Sequence, residues 1–121
     1  MKNFNSILDY ELTHGTFKAT IESYKEIPAL INNQKSYDTS LPENAVVRDA
    51  YLDVTLRLDT NELIKTRWYS KRINYILRCL RNQLGDHIYR LTDALEAARK
   101  TPITVHIHID PKYGQQIEYE D

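Results

Sequence analysis

The chain has 121 residues, 41% hydrophobic and 27% charged, with 3 Gly and 4 Pro, the composition of one ordinary globular domain (1–121) rather than a disordered or fibrous chain. A formal net charge of −1 excludes the uniformly basic character of many nucleic-acid binders, so any electrostatic role must lie in local charge. The single Cys79 has no internal disulfide partner, the start "MKNFNSILDY" lacks a signal-peptide core, and no apolar run approaches the roughly 20 residues that span a bilayer. The expectation is a reducing, cytoplasmic setting and no membrane.

In "ILDYELTHGTFKATIESY" the apolar residues alternate at Leu8, Tyr10 and Leu12 and again at Phe17, Ala19 and Ile21, which predicts a β-hairpin turning at residues 13–16. "KEIPALINNQ" allows one helical turn started at Pro28, and "NNQKSYDTSLPEN" around Tyr37 reads as a polar loop. Ala50, Leu52, Val54, Leu56 and Leu58 alternate with polar residues, the pattern of a half-buried strand. Asp59 and Thr60 then offer N-caps for a helix running to Leu84, with Gly85 as its stop. Asp86 or Thr92 offers a cap for a second helix, whose Ile88, Leu91, Leu95 and Ala98 share one face, and Pro102 ends it. Ile103, Val105, Ile107 and Ile109 predict a further strand, and beyond "DPKYG" Ile117 and Tyr119 predict another. The expected fold is α+β: a two-layer domain with an approximately five-stranded, largely antiparallel sheet and two helices on one face.

Charge is uneven along this plan. Lys65, Arg67, Lys71, Arg72, Arg78 and Arg81 lie between Glu62 and Leu84 against Glu62 alone, a local balance of +5. If 60–84 is helical, Tyr69, Ile73, Ile76, Leu77, Leu80 and Leu84 form its core stripe, and Arg67, Lys71, Asn74, Arg78 and Arg81 lie nearly opposite. Trp68, Tyr75 and Cys79 occupy the flank between. A solvated helix face has this appearance, but its lack of acids also suits phosphate contacts with Trp68 or Tyr75 stacking on a base. The same aromatic seam suits a protein partner or a homo-oligomer contact. Arg67, Lys71, Arg78, Arg81, Trp68 and Tyr75 are therefore the candidate residues for binding nucleic acid or a nucleic-acid-bound protein complex.

In "PITVHIHIDP" the period of two sends Val105, Ile107 and Ile109 to one face and Thr104, His106 and His108 to the other. Pairing Ile109 with Gln115 across the turn sets Ile107 against Ile117 and Val105 against Tyr119. The same register sets His106 against Glu118, so His106, His108 and Glu118 form a candidate site for a divalent metal. The triplet His106-Ile107-His108 resembles the histidine–hydrophobic–histidine motif of the HUH nicking endonucleases. That resemblance implies a divalent metal held by the two histidines and a tyrosine nucleophile. In that superfamily the nucleophile usually lies on a helix after the histidines or, in permuted members, near the N-terminus. Here only Tyr113 and Tyr119 follow, and Tyr69, Tyr75 and Tyr89 precede.

No Gly-rich phosphate loop, paired-cysteine spacing or Ser or Cys nucleophile context is present, so apart from the conditional metal no cofactor is expected. The function expected is a small non-enzymatic binding or regulatory protein acting through the basic helix. As a general expectation about small domains without catalytic motifs, it suits a phage- or mobile-element-encoded inhibitor of a host machine. A metal-dependent nicking endonuclease and an oligomeric assembly protein are the competing readings.

Overall fold

The computed structural model of the protein describes residues 11–31 and 46–121. In chain order the elements are β1 (Gly15–Ile27), β2 (Leu30–Ile31), β3 (Val46–Arg48), β4 (Tyr51–Leu58), β5 (Leu63–Tyr69), a 3₁₀ turn (Ser70–Arg72), α1 (Ile73–Leu84), α2 (Leu91–Lys100), β6 (Ile103–Asp110) and β7 (Gly114–Tyr119). Five strands form one antiparallel sheet in the order β5-β4-β1-β6-β7, and β2 and β3 form a separate two-stranded ribbon. α2 packs on β1, and α1 packs on α2 and on β6 and β7, which makes the two-layer α+β domain expected from the pattern. Among the described residues no helix is long and apolar enough to cross a membrane.

β4 alternates without exception: Leu52, Val54, Leu56 and Leu58 are buried and the residues between them half-buried. Its partner on one side is β1, where Ala19 and Ile21 face Leu58 and Leu56. Glu22 is then an extra residue, a β-bulge between Ile21 and Ser23. A bulge of one residue inverts the alternation beyond it. Tyr24 and Glu26, opposite Val54 and Leu52, therefore join the helix-covered face, and Ser23 and Lys25 turn outward.

The other partner of β4 is β5, and here the structure corrects the sequence reading. Residues 63–69 are a strand, not the first turns of a helix, and α1 begins only at Ile73. Asp59, Thr60 and Asn61 form a three-residue hairpin loop rather than an N-cap. The Asn61 N–H donates to the Leu58 carbonyl (2.9 Å), the Leu58 N–H donates to the Glu62 carbonyl (2.9 Å), and Asn61 takes the left-handed conformation at φ 71°. Asparagine tolerates that conformation, and this loop length joins antiparallel strands. Beyond it Ile64, Thr66 and Trp68 alternate inward opposite Leu56, Val54 and Leu52, and β-branched and aromatic residues suit a pleated surface better than a helix.

The sheet coils enough for inward side chains of its two edge strands to meet. Trp68 of β5 is 1% exposed, and its indole Nε1–H donates to the Tyr119 hydroxyl of β7 at 2.6 Å, with the rings edge to face at 5.5 Å. α1 closes the open end through Gln83. Its amide accepts the Thr104 N–H (2.6 Å) and donates to the Thr104 carbonyl (3.1 Å) and the Glu120 carbonyl (2.7 Å), acting as a short substitute strand beside β6.

Other expectations are redrawn. Leu8 and Tyr10 of the proposed first hairpin arm lie outside the described residues, as does the polar loop around Tyr37. Leu12 is exposed and not in a strand. Phe17 faces Val105 of β6, and among the described residues the fifth strand of the sheet is β5. No helical turn starts at Pro28; Leu30–Ile31 is a strand paired with β3. α2 follows Arg90 and has no side-chain cap from Asp86 or Thr92, although Ile88, Leu95 and Ala98 take the buried face expected.

Candidate nucleic-acid interface

With α1 and α2 on the inner face, no described element covers the outer face of β1, β4 and β5. The register and alternation place Lys18, Lys25, Arg57, Lys65 and Arg67 on that face, against Asp53 and the bulge residue Glu22. Five cations against two carboxylates make this half of the sheet positive in a chain whose net charge is −1. One carboxylate is already engaged: Glu22 accepts both Arg57 Nε–H (2.9 Å) and Nη2–H (3.0 Å). The hydrogen bonds and charge of Arg57 hold the Glu22 carboxyl below its ordinary pKa.

At the free end of β4 and β5 the cations meet aromatic rings. Tyr51 faces Tyr69 across the strands with ring centroids 5.4 Å apart. The Arg67 guanidinium lies over the Tyr51 ring at 4.7 Å and that of Arg48 over the same ring at 5.4 Å. Arg67 also donates to the Tyr69 hydroxyl at 3.4 Å, and this contact, then the two tyrosines' charge, raises its pKa. Arg48 donates through Nη2 to the Pro28 carbonyl (3.1 Å), while its buried Nε–H has no partner. An open sheet face with adjoining, mutually tilted tyrosine rings and guanidinium groups offers bases a π surface and phosphates fixed positive charge.

The residues expected to share one helix face are dispersed. Arg67 is on the outer face of β5, while its neighbour Trp68 is in the core and unavailable either as a stacking surface or as an oligomer seam. Lys71 is in the 3₁₀ turn, 3.6 Å from Asp49. Arg78 and Arg81 remain on α1. Arg72 of the 3₁₀ turn and Arg78 flank the Tyr75 ring at 5.6 and 5.7 Å, and Arg81 lies 5.7 Å from the Tyr89 ring. The Tyr75 hydroxyl is raised in pKa by its hydrogen bond with Cys79 and by burial, and Cys79 itself is a free, fully buried core residue. Tyr51, Tyr69 and Arg48 were missed because the helical reading of 60–84 hid their partner strand. The signal that finds them is the turn sequence Asp59-Thr60-Asn61 between two alternating runs.

The histidine strand has the register read from the sequence: Val105 faces Tyr119, His106 faces Glu118, Ile107 faces Ile117, His108 faces Gln116 and Ile109 faces Gln115. The metal set does not follow from it. His106 Nδ1 is hydrogen-bonded with the Thr16 hydroxyl at 2.9 Å and its Nε2 lies 3.4 Å from the Glu120 carboxylate. Among the described residues no group of three or more His, Cys, Asp or Glu side chains stands close enough to hold a metal ion. Of the tyrosines after the histidines, Tyr113 is exposed in a turn, and Tyr119 is buried on the inner face with its hydroxyl on Trp68, its pKa raised by burial.

A pocket of about 360 Å³ opens where β4 and β5 run past the helices. Leu52, Glu26 and Trp68 form one cross-strand row in its lining; Tyr24, Tyr51, Ser70, Ile73, Leu91, Thr92 and Leu95 are among the rest. Tyr51 thus belongs to both the pocket and the cationic patch. No protein-family model, curated protein or solved structure matches this chain, so fold and site define its class: an α+β domain with an open, cationic and aromatic sheet face.

Proposed function

We propose that the protein is a non-enzymatic, cytoplasmic binding protein for single-stranded nucleic acid, acting through the outer face of β4 and β5. The observation that carries this reading is the Arg48–Tyr51–Arg67–Tyr69 cluster, with guanidinium groups and rings side by side on a face that no described element covers. Bases stack on Tyr69 and on the guanidinium planes that lie over Tyr51, and Lys65, Lys25 and the outward N–H groups of Arg48 and Arg67 track the phosphates. An open sheet face suits splayed, unpaired bases rather than a duplex groove. The free, buried Cys79 fits the reducing compartment.

Fluorescence anisotropy with labelled single- and double-stranded oligonucleotides across a salt series tests the proposal. Single strands should bind more tightly, with an affinity that falls as salt rises. A flat salt response, or one unchanged in Arg67→Ala, refutes it.

A further inference from the structure

We propose that the pocket beside the patch takes up one base of the bound strand, and that its chemistry selects guanine. The inference rests on reading the patch as a single-stranded nucleic-acid surface. Tyr51 links the two sites, lining the pocket and lying beneath Arg48 and Arg67, so a strand tracked by these guanidinium groups passes the pocket mouth. At about 360 Å³ the pocket is at the small end of ligand sites, roughly 300–1,000 Å³. That is room for one base, not for a helix or strand of a protein partner.

The walls are apolar where Leu52, Trp68, Ile73 and Leu95 meet, and the one charged group among the lining residues is Glu26. The bulge at Glu22 puts it there. Without the extra residue, Lys25 would occupy the inner face at this end of β1. Glu26 is exposed, and no described residue forms an ion pair or hydrogen bond with its carboxylate. A carboxylate has two acceptor oxygens and no donor. Guanine alone among the bases presents two adjacent donors on one edge, its ring N1–H and its 2-amino group. Adenine and cytosine set a ring acceptor beside their amino group, and thymine or uracil flanks its one N–H with two carbonyls. Each would turn a lone pair toward Glu26. The negative charge inside the pocket and the positive charge outside it therefore match the donor edge and the phosphates of a guanine nucleotide.

Four labelled probes test the inference: a dT tract and the same tract with one central dG, deoxyinosine or dA. The dG strand should bind roughly tenfold more tightly than plain dT, the discrimination of one bidentate contact. The deoxyinosine strand, without the 2-amino group, should lie between. Glu26→Gln should abolish the preference and leave dT affinity unchanged. Thr92→Trp, an exposed change at the pocket, should do the same by filling it. Arg67→Ala should weaken all four probes alike. Equal affinity for the four strands, with salt-dependent dT binding intact, overturns the base pocket and leaves the surface reading standing. No binding of any strand overturns both.

Discussion

The β4–β5 hairpin and the β6–β7 hairpin are built on one plan and carry different chemistry. Each alternates an inward apolar set with an outward polar set, and their inner faces meet where the Trp68 indole donates to Tyr119. Outward, the first presents Tyr51, Tyr69, Lys65 and Arg67, while the second presents His106, His108, Gln116 and Glu118. The inner residues are constrained by one shared core, in which a change on either hairpin is felt by the other. Among the described residues no helix packs on the outer side chains, so one half can be cationic and aromatic while the other holds a Thr16–His106–Glu120 contact.

Breaking the shared inner face should have the largest effect. Trp68→Ala removes a side chain that both hairpins contact and should destabilise the domain by about 3–5 kcal/mol, read from chemical denaturation. Tyr119→Phe keeps the ring but leaves the buried Trp68 Nε1–H without its acceptor, and should cost about 1–3 kcal/mol in the same measurement. If either variant is as stable as the parent, the hairpins are not coupled through this contact.

The outer faces should separate in binding rather than in stability. Arg67→Ala should lower single-strand affinity roughly tenfold and reduce the salt slope by about one, with an unchanged unfolding midpoint. His106→Ala on the other hairpin should leave affinity within about twofold, and so should Arg78→Ala on α1, since surface substitutions away from the contact have small effects. An equal loss in all three variants would mean that the strand is not confined to β4–β5.

The smallest effect concerns pH. Arg57 holds the Glu22 carboxyl below its ordinary value, first through their hydrogen bonds and then through charge. The contribution is thus present above the ordinary carboxylate range and is lost as pH falls through the lowered value. Arg57→Gln should move the Glu22 midpoint upward in an NMR titration.

Much of this architecture was legible in the residues. The β6–β7 register was recoverable pair by pair because the turn "DPKYG" is short and Ile107, Ile117, Val105 and Tyr119 admit one arrangement with a common apolar face. Residues 63–72 were misread because Tyr69 and Ile73 continue the helical stripe of α1 backward, and a stripe and an alternation overlap over so few residues. Only Asn61 at its left-handed turn separates the two periods. The candidate site was half legible for the same reason. The cationic excess of 62–84 is real, but which cations stand together depends on where the strand ends and the helix begins.

The sequence by itself determined the strands β4, β6 and β7, the apolar face of α2 and that of α1 apart from the buried Cys79, the α+β class and the local excess of positive charge, because periodicity and turn chemistry act between neighbours in the chain. Only the tertiary structure decided that Arg67 faces outward and Trp68 inward, that Arg48 and Arg67 share Tyr51, and that Glu26 reaches a pocket. Those outcomes depend on a bulge, a strand order and a sheet coiled enough to join its two edges, and each is set by contacts between residues far apart in the chain.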